Sequence, residues 1–213
     1  MIKNKDLKRK IIDLSYNHKL SHIGSCLTAV DIIKDIYDKK KQDEKFILSN
    51  GHAGIALYVV LENYWKENGR NIDAQYMLET QGIHPDKTQA NEYIDCSTGS
   101  LGNGIGIAVG MALADRPKNV WFMISDGELG EGSVHEALRV ADEQKLTNLN
   151  VYVNWNGWAG YRNTDKYYCP ISSYVNIYET RTDVNYLPFL EGLEGHYRVL
   201  SEDDYKIAME ILK

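Results

Sequence analysis

The stretch VWFMISDGELGEGSVHEALRVADEQKLTNLNVYVNWNG, residues 120–157, decides the fold. It opens on residues 120–124, an apolar run without alternation, the pattern of a strand buried on both faces inside a parallel sheet. Residues 133–144 follow at helical spacing, with Val134, Ala137, Leu138 and Ala141 on the inward side. Residues 149–153 then repeat the strand pattern. Strand, helix and strand, joined by tight glycine-containing loops, predict an α/β domain: a doubly wound, mainly parallel sheet with helices on both faces.

Toward the N-terminus, residues 5–17 predict a helix whose apolar face carries Leu7, Ile11, Ile12 and Leu14. Thr28-Ala-Val-Asp31 is the expected cap of a second helix bearing Val30, Ile33 and Tyr37. Residues 46–48 read as a short strand. A third helix after Ser49-Asn50-Gly51 buries Ala53, Ala56, Leu57, Val60, Leu61 and Tyr64. The loop-rich stretch 68–104 holds one helix, at 73–80. Residues 105–114 are apolar all round and rich in glycine and alanine, so that helix is expected to be closely approached by its neighbours. Beyond the opening stretch the pattern loosens, with 175–182 extended, 187–193 a short helix, 197–200 a strand and 203–213 a final helix. No repeat or linker breaks the chain, and residues 1–213 read as a single domain.

Composition narrows the function. A chain of 213 residues can bury one substantial core, and 43% hydrophobic with 25% charged residues suits a soluble globular protein. A net charge of −6 disfavours nucleic acid, whose phosphates call for clustered Lys and Arg. The basic residues within 3–10 alternate with apolar ones, as on a solvated helix face. Cys26, Cys96 and Cys169 lie far apart with no Cys-x-x-Cys spacing, a poor zinc set and a poor disulfide framework, which predicts a reducing compartment. No apolar run reaches the roughly 18–20 residues needed to cross a bilayer. The charged N-terminus has no apolar core behind it, as a secretory signal requires. The expectation is a cytoplasmic protein that binds neither membrane nor nucleic acid.

Open α/β sheets bind ligands in loops at the carboxyl ends of their strands. Two such loops carry oxygen donors: Ser125-Asp126-Gly127-Glu128 after the first strand quoted, and Asn154-Trp155-Asn156-Gly157 after the second. A carboxylate, an amide oxygen and a main-chain carbonyl leave room for phosphate oxygens and water, which suits Mg²⁺. Either loop alone reads better as a turn. The glycine-rich Ser97–Gly104 segment is a phosphate cradle or simply the start of a helix. His22, His52 and His84 all sit beside glycine or proline in loops, whereas a lone histidine is more often a surface or core residue.

Taken in order, these stretches resemble the transketolase family. Its His-Pro-Gly turn, Ser-x-Gly-His, Gly-His-Pro-Glu, Thr-Gly-x-Leu-Gly-Gln-Gly and Gly-Asp-Gly followed some thirty residues later by Asn match SHIG, SNGH, IHPD, STGSLGNG, SDGELGEG and VNWNG here. The likeness runs from about Leu7 to Gly157, and the interval from Asp126 to Asn156 is thirty residues. It implies the thiamine-diphosphate-binding fold, with thiamine diphosphate and Mg²⁺ as cofactors and two-carbon ketol transfer between sugars or sugar phosphates as the reaction. By the same resemblance Asp126 and Asn156 ligate Mg²⁺ through side chains and Trp158 through its carbonyl. Gly127 lies against the diphosphate, with Glu128 in the same cofactor-binding loop. Gly99 and Leu101 hold the aminopyrimidine, and His52 reaches the diphosphate and the substrate side. His22 and His84 line the substrate channel. Glu131 matches a glutamate that links two active sites across a dimer; a carboxylate at a helix N-terminus explains it equally well.

Ser125, Ile23 and Asn103 depart from the family pattern at glycine, proline and glutamine positions without removing an expected ligand. After Asn163 the resemblance fades, and His196, expected just before a strand, is left outside the predicted site. Residues beyond Gly157 are too few for a second α/β domain of roughly 100 residues or more. The resemblance therefore implies a separate C-terminal, pyrimidine-binding subunit, in an α2β2 assembly. Two other thiamine-dependent reactions remain as alternatives, 1-deoxyxylulose-phosphate synthesis and 2-oxo acid decarboxylation, as does a non-catalytic partner subunit. The absence of a Gly-His-Ser-Ser-Thr-like stretch disfavours the first of these.

Overall fold

Four strands are hydrogen-bonded in the order β1–β2–β3–β4: β1 Lys45–Leu48, β2 Val120–Ser125, β3 Leu149–Trp155 and β4 Asn176–Arg181. Each neighbouring pair is parallel, with Leu48 opposite Met123, Ser125 opposite Asn154, and Trp155 opposite Arg181. The computed structural model describes residues 2–87, 92–166 and 172–213; Cys169 lies outside them.

Because side chains alternate across a pleated strand, the sheet feeds two cores. Phe46, Leu48, Trp121, Met123 and Tyr152 point to one face, where they meet α1 (Lys5–Asn17), α2 (Ile23–Lys39), α3 (Gly54–Glu67), α4 (Ala74–Gln81) and the C-terminal helix. Ile47, Phe122, Ile124, Val151 and Val153 point to the other, covered by α5 (Gly104–Ala114) and α6 (Gly132–Glu143). Every residue of β2 and β3 is buried, which explains their unalternating apolar sequence. This is the parallel α/β sheet with helices on both faces that the sequence predicts.

Three local expectations are corrected. The second helix begins at Ile23, not at Thr28. Thr28 lies inside it, and its hydroxyl donates back to the carbonyls of Gly24 (3.0 Å) and Ser25 (3.1 Å) instead of capping a new turn. The expected helix at 187–193 is a single 3-10 turn, Pro188–Leu190. The expected strand at 197–200 does not form: Tyr197 ends a short helix, α7 (Glu194–Tyr197), and a capping box at Ser201 and Asp204 starts α8 (Glu202–Ile211). Val199 has the β propensity of a strand residue, but no neighbouring strand pairs with this segment among the described residues.

One buried amide joins the layers. Asn154, with no solvent exposure, donates to the Thr28 hydroxyl on α2 at 3.0 Å and accepts from the Thr182 hydroxyl just past β4 at 2.6 Å. Replacing it with Leu keeps the branched shape, removes the bond to Thr28 and leaves the Thr182 hydroxyl without its acceptor. Asn154→Leu should lower stability by about 1–3 kcal/mol, read as a shift in the urea midpoint at unchanged slope. An unchanged midpoint would show that the amide does not hold these layers.

Candidate functional site

A parallel sheet places all its carboxyl ends on one edge, so the loops after β1, β2 and β3 meet there. The loop after β1 delivers Ser49, Asn50 and His52, the loop after β2 starts with Asp126, and the loop after β3 starts with Asn156. They line a cleft of about 210 Å³ bounded by His52, Leu101, Gly127, Glu131, Asn156, Trp158 and His196. A smaller hollow of about 140 Å³ shares Ser25, Asn156, Trp158 and His196 with it. A larger one, about 530 Å³, lies between α2 and the end of β4 and touches none of the expected site residues.

Asp126 is fully buried behind the cleft, between the lining residues Ser125 and Gly127. One carboxylate oxygen accepts from the Gly127 amide (3.0 Å), the other from the Gly157 amide and the Thr164 hydroxyl (both 2.7 Å). Burial raises its pKa above the ordinary range although these neutral donors oppose the shift. A nearby cation would favour the ionised form, yet among the described residues none forms an ion pair with Asp126. The Asn156 amide oxygen accepts from the Trp158 amide at 2.9 Å, folding the loop so that Asn156 and Trp158 both border the cleft.

Glu128 does different work. Its oxygens accept from the Ser49 hydroxyl (2.7 Å), the Gly102 amide (3.1 Å), and the Ser125 amide and hydroxyl (3.0 and 3.2 Å). With no exposed surface, it ties three loops together and does not line the cleft. Gly99 takes φ +134°, and a Cβ there would meet the His84 ring at 2.7 Å, so the glycine-rich loop lies directly on His84. Glu131 is exposed at the N-terminus of α6, beside Gly102.

The histidines hold one surprise. His22 and His52 pack with ring centroids 4.9 Å apart, and His196 joins them at 5.7 and 6.2 Å. His196 rides on α7 rather than preceding a strand, and it borders the cleft. The His22 amide donates to the His196 carbonyl at 2.8 Å, and a Cβ on Gly24 would meet the Gly195 Cα at 2.8 Å. That close approach docks α7 onto the first turn of α2. A signal was present in the sequence: like His52, His196 directly follows a glycine. Burial, then repulsion from neighbouring histidines, lowers the pKa of His52 to about 3 and that of His196 to about 4. Burial, then His84, lowers that of His22. All three rings are neutral at physiological pH.

Buried polar atoms without partners gather around the same loops: His22 Nδ1, Ser25 Oγ, Thr98 Oγ1 and both amide atoms of Asn50. Such atoms are rare in folded proteins unless something else satisfies them. With the oxygen donors of Asp126, Asn156 and Trp158, they fit a polar, phosphate-bearing ligand held through a divalent cation.

Comparison with known proteins gives the arrangement a family. The chain matches the family described as "Transketolase, thiamine diphosphate binding domain" over residues 12–165. It is 29% identical to one subunit of the apulose-4-phosphate transketolase of Phocaeicola vulgatus, over 70% of this chain and 58% of that one. It is 33% identical to the Transketolase of Homo sapiens, over 76% of this chain and 27% of that one. Among solved structures, transketolase from Campylobacter jejuni superposes with a TM-score of 0.81 at 19% identity, covering 98% of this chain and 42% of its own. A Pichia stipitis transketolase variant gives 0.76 at 18%, covering 96% and 40%. At those identities the superpositions speak for the fold, while the profile match speaks for descent: the chain belongs to the transketolase family, in its thiamine-diphosphate-binding domain.

Proposed function

We propose that the chain is a single cofactor-binding domain that serves as one half of a two-chain transketolase, moving a two-carbon ketol unit between sugars or sugar phosphates. The observation that carries this reading is the convergence of Gly127, Asn156, Trp158, His52 and His196 on one cleft at the carboxyl edge of the sheet, with Asp126 buried beside Gly127 and His22 packed against His52. Asp126 and Asn156 would hold Mg²⁺ through side chains and Trp158 through its carbonyl, with Gly127 against the diphosphate. Thiamine diphosphate, when bound, supplies the carbon nucleophile and electron sink that this chemistry needs.

The chain's own residues bind and orient. His52 and His196 border the cleft as neutral rings able to donate or accept a hydrogen bond. His22 backs them, and His84 stands at the glycine-rich loop, placed to orient sugar hydroxyls and move protons. Gly99 and Leu101 would meet the aminopyrimidine, and Glu131 would face the second site of a dimer.

A partner is supported by two observations. The Phocaeicola vulgatus relative is itself named as one subunit of its enzyme. Leu101, Ile107 and Leu113, on α5 and the loop before it, are 37–43% exposed in a segment apolar all round. A pyrimidine-binding chain docking there would cover them and complete the cofactor site, in an assembly of two copies of each chain. Cys26 and Cys96 are unpaired, in keeping with a reducing, cytoplasmic location.

Three outcomes follow. Asp126→Ala should weaken Mg²⁺-dependent thiamine diphosphate binding by more than about 100-fold, beyond the loss of a mere outer-sphere partner, and Asn156→Ala should weaken it less. Calorimetry with the partner present decides, and retained affinity in Asp126→Ala would sink the assignment. His22→Ala and His84→Ala should leave cofactor affinity nearly normal and lower turnover on the order of 100–10,000-fold; unchanged turnover in both makes them structural loop histidines. Finally, ketol transfer should be absent from the purified chain and emerge on adding the pyrimidine-binding chain. Full activity without it refutes the two-chain reading.

A further inference from the structure

Two donor sets of opposite chemical character meet at the cleft, each with members on its wall and one behind it. Asp126, Asn156 and the Trp158 carbonyl offer oxygens, the preference of small hard cations. His22, His52 and His196 offer only nitrogens, and one ligand atom from each lies within 4.8 Å of the others. Imidazole donors suit zinc, copper and nickel and discriminate against magnesium.

We infer that His22, His52 and His196 form a second cation site, specific for a transition-metal ion such as Zn²⁺ and separate from the oxygen-donor set, and that an ion bound there blocks the cleft. Four-coordinate zinc holds imidazole nitrogens at about 2.0–2.1 Å, which puts them roughly 3.4 Å apart, so the widest gap has to close by about 1.5 Å. Side-chain rotation has to supply that movement, from rings whose centroids lie 4.9–6.2 Å apart. No competing hydrogen bond has to be broken. His22 Nδ1 is buried without a partner, and neither of the other two rings makes a hydrogen bond among the described residues.

Protonation does not compete either. Burial holds all three rings neutral, leaving the lone pairs that coordination requires. The three come from separate elements: His22 precedes α2, His52 lies in the turn after β1, and His196 lies on α7. The fixed frame is the contact of α2 with α7 through the His22 amide and His196 carbonyl, so two of the ligands are positioned by the backbone itself. Three protein ligands leave a fourth position to water or to a ligand oxygen, the arrangement of an open zinc site. Since His52 and His196 both border the cleft, an ion between them occupies the space on its substrate side.

The test uses the full chain, freed of metal, titrated calorimetrically with Zn²⁺ and followed with Co²⁺ by visible absorption. One ion per chain should bind, with the intense visible bands of four-coordinate cobalt, and excess Mg²⁺ should not displace it. His22→Gln, His52→Gln and His196→Gln should each weaken the affinity by at least about tenfold, in the range seen when the surroundings of a zinc ligand are disturbed. His18→Gln, altering the histidine near Glu79 on α4, should leave it unchanged. His196→Cys should restore zinc affinity where His196→Gln does not, because a thiolate is itself a zinc ligand, and that rescue separates lost coordination from lost folding. Affinity equal to that of the unaltered chain in the three glutamine variants, or no zinc binding at all, overturns the site. Blockage of ketol transfer by Zn²⁺ in the assembled complex is the one consequence that rests on the transketolase reading. The binding measurements stand without it.

Discussion

Glu128 carries a carboxylate with no access to water, and the cleft is arranged around it. Burial pushes its pKa above the usual carboxylate range even though four hydrogen bonds from Ser49, Gly102 and Ser125 oppose the shift. For an acid whose folded pKa lies above its unfolded one, stability is fully present at low pH and is lost as the pH rises through the folded value. Ionising the group therefore costs folding free energy. What it contributes is position. One side chain fixes the loop after β1, the glycine-rich loop and the start of the loop after β2 relative to one another. His52, Leu101 and Asp126 follow from those three anchors. Removing a buried, fully bonded carboxylate would strand four donors at once, and the three loops would lose their common reference.

Everything else about the site follows from strand polarity. Four parallel strands present their carboxyl ends together, so residues as far apart in sequence as His52, Asp126 and Asn156 reach one edge without any long-range design in the loops. The amide of Asn154 then holds that edge against α2 on one side and the end of β4 on the other. The helix so held begins at Ile23, just after His22, and its first turn is the surface on which α7 docks. Sheet, helix and turn thus converge on the histidine cluster through the Asn154 side chain and the backbone contacts of α7 with α2.

How much of this is legible in the sequence varies with the range of the interaction that decides each element. Residues 5–17, the strands of the opening stretch and the helix at 73–80 are set by local periodicity and capping, and their observed limits fall within two residues of expectation. The start of α2 escapes a local reading because Thr28-Ala-Val-Asp31 resembles a cap, while the helix actually begins at Ile23, after His22 at φ 60°, a conformation held by the contact with α7 from the far end of the chain. The same long-range contact hides His196. Its neighbours look like a strand, and only the docking of Gly195 against Gly24 turns it into the site. Glu128, expected to meet the cofactor, has no local mark of its role either, since two of its three partners are 79 and 26 residues away.

The left-handed backbone of His22 brings these threads together. A side chain with a Cβ is disfavoured at positive φ by roughly 1–2 kcal/mol, and the surrounding structure has to impose that conformation. Here the imposing contacts are visible: the His22 amide is held by the His196 carbonyl, and Gly24, two residues on, presses against Gly195. A residue with ordinary backbone angles at position 22 would swing its amide away from α7. His196 would then lose its link to α2. The strain is local, but it aligns two imidazoles drawn from opposite ends of the chain. With Glu128 fixing His52 through Ser49, the cluster is held by one buried carboxylate and one strained turn. Neither fixes it through the rings, and His52 and His196 remain open to whatever enters the cleft.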